Sequence, residues 1–481
     1  MSTIDLPEDL PEDFIPSDKL LDEGIMSLRN ILNGITLADF QTGVLAWALV
    51  NRKMMISLDT GLGKTLISAG LIRLVTEPGA WLFICQLNSI PQTYKKFREL
   101  IPEKRIMAAT GSADTLASVI KSNPSQVDVY ILSYEAFRDL DCNTWILSNQ
   151  KKFIGFIADE SHNIANTRST IRDFMYLLWQ KDFAYKYCLT ATPLRVNPGQ
   201  FLNQMAMIDP TLVPDPKLLL RKYTVYDAFT KKVIGYKNLD ELHNIIHSRY
   251  INKCREELGM KGAYNPRFIP IPNVDDQENA HSPDSPKIQK SNPQGLPIQE
   301  LKNLILRYTM QGKRGIVYAN LNKYKSLIID SLKDYIRIDE ISGRVDSQAR
   351  ARVQREFNEG KLDCICLNAT ESLDLPCDYI VFYELTSLYK QVIGRGERGL
   401  TGKDLDIVFM VITDNYDLDF FFDHVYSKGI LLEQLCHKDV SELHAINSQI
   451  QEYLSEQQSY VLREILSLYE EEMARKKKEA V

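Results

Sequence analysis

The sequence lacks three features that would assign it to a special class of protein. No apolar run in the 481 residues approaches the ~18 residues that a membrane-spanning helix needs. The eight cysteines are scattered and include no Cys-x-x-Cys pair, so we expect buried, reduced cysteines and neither a zinc site nor a disulfide framework. The acidic, proline-containing N-terminus is not typical of a secretory signal. These absences predict a cytosol-like location and no membrane partner.

The sequence also lacks the excess of positive charge that many nucleic-acid-binding proteins carry. The formal net charge is −6, but eight acidic residues and a single lysine lie within residues 1–24. The remainder is therefore near neutral, and local basic patches there are able to bind a phosphate backbone. Charge neither supports nor excludes a nucleic-acid partner. We expect the acidic stretch to be a flexible arm.

One stretch has the pattern of a phosphate-binding loop. The apolar run Met54–Leu58 predicts a buried strand, and an apolar-periodic helix follows from Leu66 onward. Between them, glycines allow backbone N–H groups to close around phosphate oxygens at a helix N-terminus. We expect Lys64 to reach the β- and γ-phosphates of ATP and Thr65 to bind Mg²⁺. The nucleotide-binding residues predicted from this pattern are Gly61, Leu62, Gly63, Lys64 and Thr65.

Apolar runs alternate with helix-like segments along most of the chain. They are Trp81–Cys85, Val129–Leu132, Phe153–Ala158 and Tyr187–Leu189, then Gly315–Ala319, Ile336–Ile341, Cys364–Leu367, Tyr379–Tyr383 and Ile407–Ile412. Short apolar strands separated by helices predict parallel sheets that are covered on both faces. Residues 276–295, which are polar and rich in Pro, Ser and Asn, separate the two sets and are predicted to form a linker or exposed loop.

These patterns predict the division of the chain into five parts. They are an acidic arm (1–34), a first α/β domain (35–210), a helical extension with the polar linker (211–297), a second α/β domain (298–430) and a C-terminal helical segment (431–481). The helical segment is predicted from apolar residues at three- and four-residue spacing, among them Leu443, Ile446 and Ile450. Its basic end, residues 475–478, is interpreted as a solvated tail.

Two adjacent carboxylates follow the predicted strand Phe153–Ala158. They are Asp159 and Glu160. A P-loop ATPase needs an acidic residue at such a strand end to hold Mg²⁺. Asp159 is therefore predicted to be a magnesium ligand together with Thr65, and Glu160 to orient or deprotonate the attacking water. An Asp-Glu pair after a strand is weak evidence by itself, but its position downstream of a phosphate loop makes the signal strong.

The same carboxylates belong to a segment that resembles a known family. Residues 159–162, Asp-Glu-Ser-His, resemble motif II of the superfamily 2 helicases and translocases, and residues 189–194 resemble their third motif. The resemblance implies an α/β fold with two tandem RecA-like parallel-sheet domains and an ATP cleft between them. It also implies that Thr190 and Thr192 couple the state of ATP to the grip on nucleic acid.

A segment in the second half resembles motif VI of that superfamily. It covers residues 391–398, although Val392 stands where an arginine is usual. The resemblance implies that Gln391, Arg395 and Arg398 complete the catalytic site from the second domain. An arginine is suited to this role because its guanidinium is always charged and binds two phosphate oxygens at once.

Within the superfamily, the chain combines features of two groups. The helix around Gln41, whose amide is implied to read the adenine, and the loop that begins at Thr60 resemble Swi/Snf-type ATPases. Residues 238–258 resemble a segment of the annealing-helicase branch. Residues 371–376 instead resemble fork-processing helicases, with a serine where those enzymes have a glycine. Asp374 in that segment is the implied DNA-coupling residue.

The resemblance implies an ATP-dependent DNA helicase or translocase that remodels branched DNA by fork regression, branch migration or strand annealing. Its cofactors would be ATP and Mg²⁺, and its partner branched or duplex DNA. Three alternatives remain open: a duplex-DNA translocase that displaces bound proteins without unwinding, an RNA-unwinding enzyme, and a non-enzymatic nucleic-acid-binding scaffold with an inactive ATP site. We expect the cytoplasm of a bacterial or phage-infected cell as its location, or the nucleus if the source is eukaryotic.

Overall fold

Two parallel β-sheets, each covered by helices, make up most of the structure. The computed structural model describes residues 28–163, 183–194, 198–226, 233–255, 258–259, 264–272, 290–342, 345, 347–368, 375–396, 404–413, 416–436 and 438–457. Among these residues, no helix is long and apolar enough to cross a membrane. All eight cysteines lie in the described part of the chain and are buried thiols.

The first sheet is parallel and has the strand order β3-β4-β2-β5-β6-β1-β9. Its strands are β1 (Lys53–Leu58), β2 (Ala80–Cys85), β3 (Ile106–Ala108), β4 (Val129–Ser133), β5 (Phe153–Asp159), β6 (Tyr185–Thr190) and β9 (Tyr250–Lys253). The accompanying helices are α1 (Asp39–Asn51), α2 (Lys64–Leu74), α3 (Ile90–Leu100), α4 (Ala113–Lys121), α5 (Leu140–Ser148) and α6 (Pro198–Ile208).

The inner strands of this sheet are mostly apolar because both faces of the sheet are covered. In β2, for example, every residue is buried. Successive side chains of a strand point to opposite faces, so Leu82 and Ile84 pack in one core while Trp81 and Phe83 pack in the other. The predicted apolar runs of the first domain therefore correspond to β2, β4, β5 and β6. The short strand β3 was not predicted.

The second sheet is also parallel, with the order β10-β15-β14-β11-β13-β12. Its strands are β10 (Tyr264–Ile271), β11 (Gly315–Tyr318), β12 (Ile338–Ile341), β13 (Cys364–Leu367), β14 (Tyr379–Phe382) and β15 (Leu405–Ile412). Helices α9 (Leu296–Met310), α10 (Asn322–Leu332), α11 (Ser347–Asn358) and α12 (Tyr389–Gly396) belong to this part. The two sheets confirm the predicted class of two tandem RecA-like domains.

The segment between the predicted domains contributes a strand to each sheet. Before β9 it contains α7 (Pro216–Tyr223), the antiparallel pair β7 (Thr224–Tyr226) and β8 (Val233–Tyr236), and α8 (Leu239–Ile246). β9 pairs with β1 in the first sheet, and β10 pairs with β15 in the second. The first sheet thus extends beyond the predicted boundary at residue 210. β9 and β10 are edge strands that lie next to a central strand on one side only, so they lack the continuous apolar pattern of the inner strands.

The C-terminal part is helical and lies against both domains. It contains α13 (Tyr416–Phe420), a π-helical stretch (Phe421–Tyr426), α14 (Ser427–Cys436) and helical residues 441–457. Leu432 and Leu435 of α14 join a core of the first domain, whereas Leu443 and Ile446 join a core of the second. The predicted helical periodicity after residue 440 therefore marks a helix that packs on the second domain.

Candidate nucleotide site between the two domains

The loop between β1 and α2 has the backbone conformation of a phosphate-binding loop. Gly61 and Gly63 have φ angles of 86° and 92°, in a region that glycine adopts without strain. A β-carbon on Gly63 would lie 2.4 Å from Nε2 of Gln41, so a side chain there would displace the Gln41 amide. α2 then begins at Lys64, and the first N–H groups of an α-helix have no carbonyl partner within the helix. The loop therefore fits a bound polyphosphate.

Gln41 connects α1 to this loop. Its Oε1 atom accepts a hydrogen bond from the N–H of Ala38 at 3.0 Å, and its Nε2 atom donates to the carbonyl of Leu62 at 3.0 Å. The side-chain amide has two N–H donors and two acceptor lone pairs, so both groups retain the capacity for a second hydrogen bond. The predicted contact of Gln41 with adenine is chemically compatible with this position and stays a prediction.

The structure brings Lys64 and Glu160 together. Nζ of Lys64 lies 3.7 Å from Oε1 of Glu160 and 3.3 Å from the carbonyl oxygen of Leu58. These residues meet because β1 and β5 both neighbour β6, and parallel strands present their carboxyl ends at the same edge of a sheet. Thr65, the next residue of α2, is half-buried beside them in the chain. The lysine and the acidic residue that the sequence predicts as catalytic thus belong to one site.

Asp159 ends β5, and Glu160 forms the turn that follows. The carbonyl of Asp159 accepts a hydrogen bond from the Tyr134 hydroxyl at 2.6 Å. Glu160 has a φ of 49°, which is uncommon for a residue other than glycine. Asn163 holds this turn, because its backbone N–H and its Nδ2 group donate to the Glu160 carbonyl at 3.0 and 2.9 Å. Backbone strain of this kind is often found at functional sites.

Asp159 and Glu160 form what we call the acidic turn. Three polar side chains connect this turn to the end of β6. Nδ1 of His162 lies 3.4 Å from Oε2 of Glu160, 2.8 Å from Oγ1 of Thr190 and 3.3 Å from Oγ1 of Thr192. The Thr192 N–H also donates to Oγ1 of Thr190 at 3.1 Å. His162, Thr190 and Thr192 are buried. The residues predicted to couple ATP state to nucleic-acid binding, Thr190 and Thr192, are therefore connected to Glu160 through His162.

Helix α12 of the second domain faces this site. Nε2 of Gln391 donates a hydrogen bond to Oγ1 of Thr192 at 2.9 Å. One turn further on, a β-carbon on Gly394 would lie 2.7 Å from Oγ1 of Thr60, so the helix backbone packs directly on the phosphate loop. Arg395 follows and is 7% exposed. Gln391 and Thr60 thus lie where α12 meets the first domain, whereas the predicted role of Arg395 stays a prediction. Arg398 and Asp374 lie outside the described residues.

Two ion pairs beside the site were not predicted from the sequence. Nζ of Lys438 lies 2.7 Å from Oδ1 of Asp59, the residue before Thr60, and Nζ of Lys390 lies 2.6 Å from Oε1 of Glu442. Asp59 and Lys438 are separated by 379 positions. A pairing of charges at such a distance leaves no local pattern in a sequence, so only the folded chain identifies these four residues.

Two family models match the chain, one in each domain. A model described as the type III restriction enzyme, res subunit, matches residues 19–195, and one described as the helicase conserved C-terminal domain matches residues 297–412. Among solved structures, the chain is similar to the Sulfolobus solfataricus SWI2/SNF2 ATPase core in complex with dsDNA. That similarity has a TM-score of 0.42 and 14% sequence identity, and it covers 86% of this chain and 93% of that chain. A search of curated protein sequences gave no match.

The matched models and the paired α/β domains define the class of the protein. The chain belongs to superfamily 2 of the helicases and translocases; its first domain carries the phosphate loop and its second carries α12. Membership in this superfamily implies the use of a nucleotide, which agrees with the loop and the acidic turn described above.

Proposed function

We propose that this protein is an ATP-driven DNA translocase that remodels branched DNA by fork regression, branch migration or strand annealing. The observation that carries the proposal is the hydrogen bond between Gln391 and Thr192, because it joins the second domain to the residues around Glu160. A site built from two domains responds to the angle between them. Nucleotide hydrolysis at such a site is therefore able to drive relative movement of the domains.

The residues of the site divide the chemical work. Lys64 would bind the negative charge of the β- and γ-phosphates, and Thr65 and Asp159 would hold Mg²⁺, which supplies further neutralisation of phosphate charge when bound. Glu160 would orient the attacking water and accept its proton. Arg395 and Arg398 would bind the terminal phosphate from the second domain.

Movement along DNA follows from alternate closing and opening of the two domains. Each domain would hold the nucleic-acid backbone mainly through phosphate contacts, which position a protein without reading sequence. Such contacts predict little sequence specificity and a strong dependence of affinity on salt. Thr190 and Thr192 lie between the acidic turn and α12, so they are the residues through which the nucleotide state would reach the second domain.

The choice of branched DNA as substrate rests on sequence resemblance. Residues 238–258 resemble the annealing-helicase branch and residues 371–376 resemble fork-processing helicases. In the structure, β9 of the first of these segments pairs with β1, and Arg249 forms an ion pair with Asp209 at 3.0 Å. This segment is therefore part of the first domain.

The ATPase assay with a panel of nucleic acids tests the proposal. Forks, four-way junctions, plain duplex, single strands and RNA are each added to the wild-type protein, to Lys64→Ala and to the control Lys333→Ala, whose lysine is exposed in the second domain. We expect DNA-stimulated hydrolysis that Lys64→Ala abolishes and Lys333→Ala retains, while all three proteins still bind DNA. Normal turnover by Lys64→Ala would overturn the assignment of the site.

Product analysis on the same substrates separates the remaining functions. Regressed forks or migrated junctions support the proposal. Equal stimulation by plain duplex without branch-directed products favours a translocase that displaces bound proteins, and stimulation by RNA alone favours an RNA helicase. Absence of hydrolysis with every nucleic acid favours a non-enzymatic scaffold.

A further inference from the structure

The chain crosses from the first domain to the second between α14 and the helical residues 441–457. At the end of α14, the carbonyl of Leu435 lies 3.0 Å from Nδ1 of His243, and the carbonyl of Cys436 accepts a hydrogen bond from the Tyr250 hydroxyl at 3.1 Å. Both partners belong to the first domain. Four residues later, Val440 is buried in a core of the second domain. Residues 438–442, which we call the C-terminal strap, contact both domains.

Lys438 of the strap binds the first residue of the phosphate loop. Its Nζ atom lies 2.7 Å from Oδ1 of Asp59, and the lysine side chain is 6% exposed. The N–H of Arg255 donates to Oδ2 of Asp59 at 3.1 Å. Burial by itself would raise the pKa of Asp59, but the Lys438 ammonium, with a smaller effect of Lys390 and the Arg255 N–H, lowers that pKa below its usual value. The carboxylate is thus held charged and fixed.

Glu442 of the strap binds the helix on the other side of the cleft. Its Oε1 atom lies 2.6 Å from Nζ of Lys390, and its side chain is fully buried. Lys390 precedes Gln391 on α12. Burial by itself would lower the pKa of Lys390, but Glu442, with further effects of Asp59 and Asp439, raises it above its usual value. One short segment therefore holds charged residues on both walls of the cleft.

We propose that the C-terminal strap positions the phosphate loop relative to α12, so that nucleotide binding depends on the arrangement of the two domains. Lys438 and Glu442 are positioning residues: they act through Asp59 and Lys390. Lys438 also balances the charge of Asp59, which without it would be a partly buried carboxylate, one residue before Thr60 of the phosphate loop, with no lysine to offset its charge. The inference rests on the proposed function, because it assumes that the loop binds ATP.

Steady-state ATP hydrolysis by the full chain, measured with saturating DNA, tests the role of the strap. In Lys438→Met, we expect a rise in KM for ATP of roughly tenfold, which is within the range typical of coupling between sites, and a smaller change in kcat. Lys438→Arg keeps the charge and should restore most of the affinity. We therefore expect the affinity for ATP to fall when the positive charge at position 438 is removed and to be kept when that charge is retained.

Lys290→Met is the matched control. Lys290 is equally buried, at 3% exposure of its side chain, and its Nζ atom lies 2.5 Å from Oδ2 of Asp417. Lys290 and Asp417 are attached to the second domain, because the Lys290 carbonyl accepts a hydrogen bond from the Tyr383 hydroxyl and Asp417 accepts one from the Ile412 N–H. Both Lys→Met variants should lower Tm, because each removes the lysine from a carboxylate that is at least partly buried. Only Lys438→Met should raise KM, since a general loss of stability does not select the nucleotide site.

An unchanged KM in Lys438→Met, or an equal rise in Lys290→Met, would overturn the inference. If Lys438→Met fails to fold, the double variant Asp59→Asn/Lys438→Met removes both charges and avoids the unpaired carboxylate. It should fold and still show a raised KM, and a normal KM in it would contradict a positioning role. Wild-type protein and Lys64→Ala are measured beside these variants. Activity in the first and none in the second establishes the ATP site independently of the strap.

Discussion

Gln391 donates a hydrogen bond to Oγ1 of Thr192 at 2.9 Å, although the two residues are 199 positions apart and belong to different domains. Thr192 lies 3.3 Å from Nδ1 of His162, and the same nitrogen lies 3.4 Å from Oε2 of Glu160. A continuous set of polar contacts therefore runs from α12 to the acidic turn. Any movement that separates the two domains at this point breaks the Gln391–Thr192 hydrogen bond.

Gln391→Ala should reduce kcat for DNA-stimulated ATP hydrolysis by about tenfold with little change in KM. A loss of about 1.4 kcal/mol, typical of one hydrogen bond in a functional network, corresponds to that factor. The control is Gln449→Ala. The side chain of Gln449 accepts a hydrogen bond from the N–H of Phe268 at 2.7 Å and donates one to the carbonyl of Pro266 at 2.8 Å. Both contacts are with the second domain. Steady-state kinetics that show the same loss for both variants would argue against a specific role of Gln391.

Gly63→Ala should abolish nucleotide binding. The new β-carbon would lie 2.4 Å from Nε2 of Gln41, and the φ of 92° is strained for alanine. Gly312→Ala is the control, because Gly312 has a φ of 71° and open space around its α-carbon. It should cost only about 1 kcal/mol of folding free energy for the left-handed backbone. Binding of a fluorescent ATP analogue and Tm are measured for both. ATP affinity that falls equally in the two variants would contradict the steric argument.

Gln41→Ala should raise KM for ATP and remove the preference for ATP over GTP. Its amide holds Leu62 of the loop and the start of α1 through one donor and one acceptor, which leaves a second donor and acceptor for the Watson–Crick or Hoogsteen edge of a base. Hydrolysis of ATP and GTP is compared in the wild type and the variant. A preference for ATP that survives in Gln41→Ala would show that another residue reads the base.

The pairing of Asp59 with Lys438 predicts a pH dependence of stability. The pKa of Asp59 is lowered from its ordinary value of 3.8 in the folded protein. Its contribution is therefore complete above the unfolded pKa and is lost as the pH falls through the folded pKa. The difference in Tm between wild type and Asp59→Asn should be constant from neutral pH to about pH 5 and should shrink in stronger acid. A difference that grows as the pH falls would contradict this assignment.

Much of the fold could be predicted because its strands are buried on both faces. Val129–Leu132 and Cys364–Leu367, for instance, are continuous apolar runs, and the structure contains strands there. The edge strands β9 and β10 could not be predicted in the same way. Polar residues interrupt the apolar pattern of both Tyr250–Lys253 and Tyr264–Ile271, and the second also contains prolines, which a central strand does not tolerate.

The residue types of the candidate site could be predicted from the sequence alone. Gly63, Lys64, Asp159 and Glu160 could be recognised because a phosphate loop and a strand-end acid are short, contiguous patterns whose residue types follow from the ligand. Their meeting at one edge of the sheet then follows from parallel strand order. The resemblance of residues 159–162 and 391–398 to helicase motifs implies a cleft between two domains.

The residues from distant parts of the chain that contact the candidate site are known only from the folded structure. The contacts of Thr192 with Gln391 and of Asp59 with Lys438 join positions 199 and 379 residues apart. An ion pair or hydrogen bond between such positions depends on the path of the whole backbone. No local sequence pattern distinguishes a lysine that pairs with Asp59 from a solvent-exposed lysine. The phosphate loop is therefore a local feature of the chain, whereas its attachment to the second domain is a property of the fold.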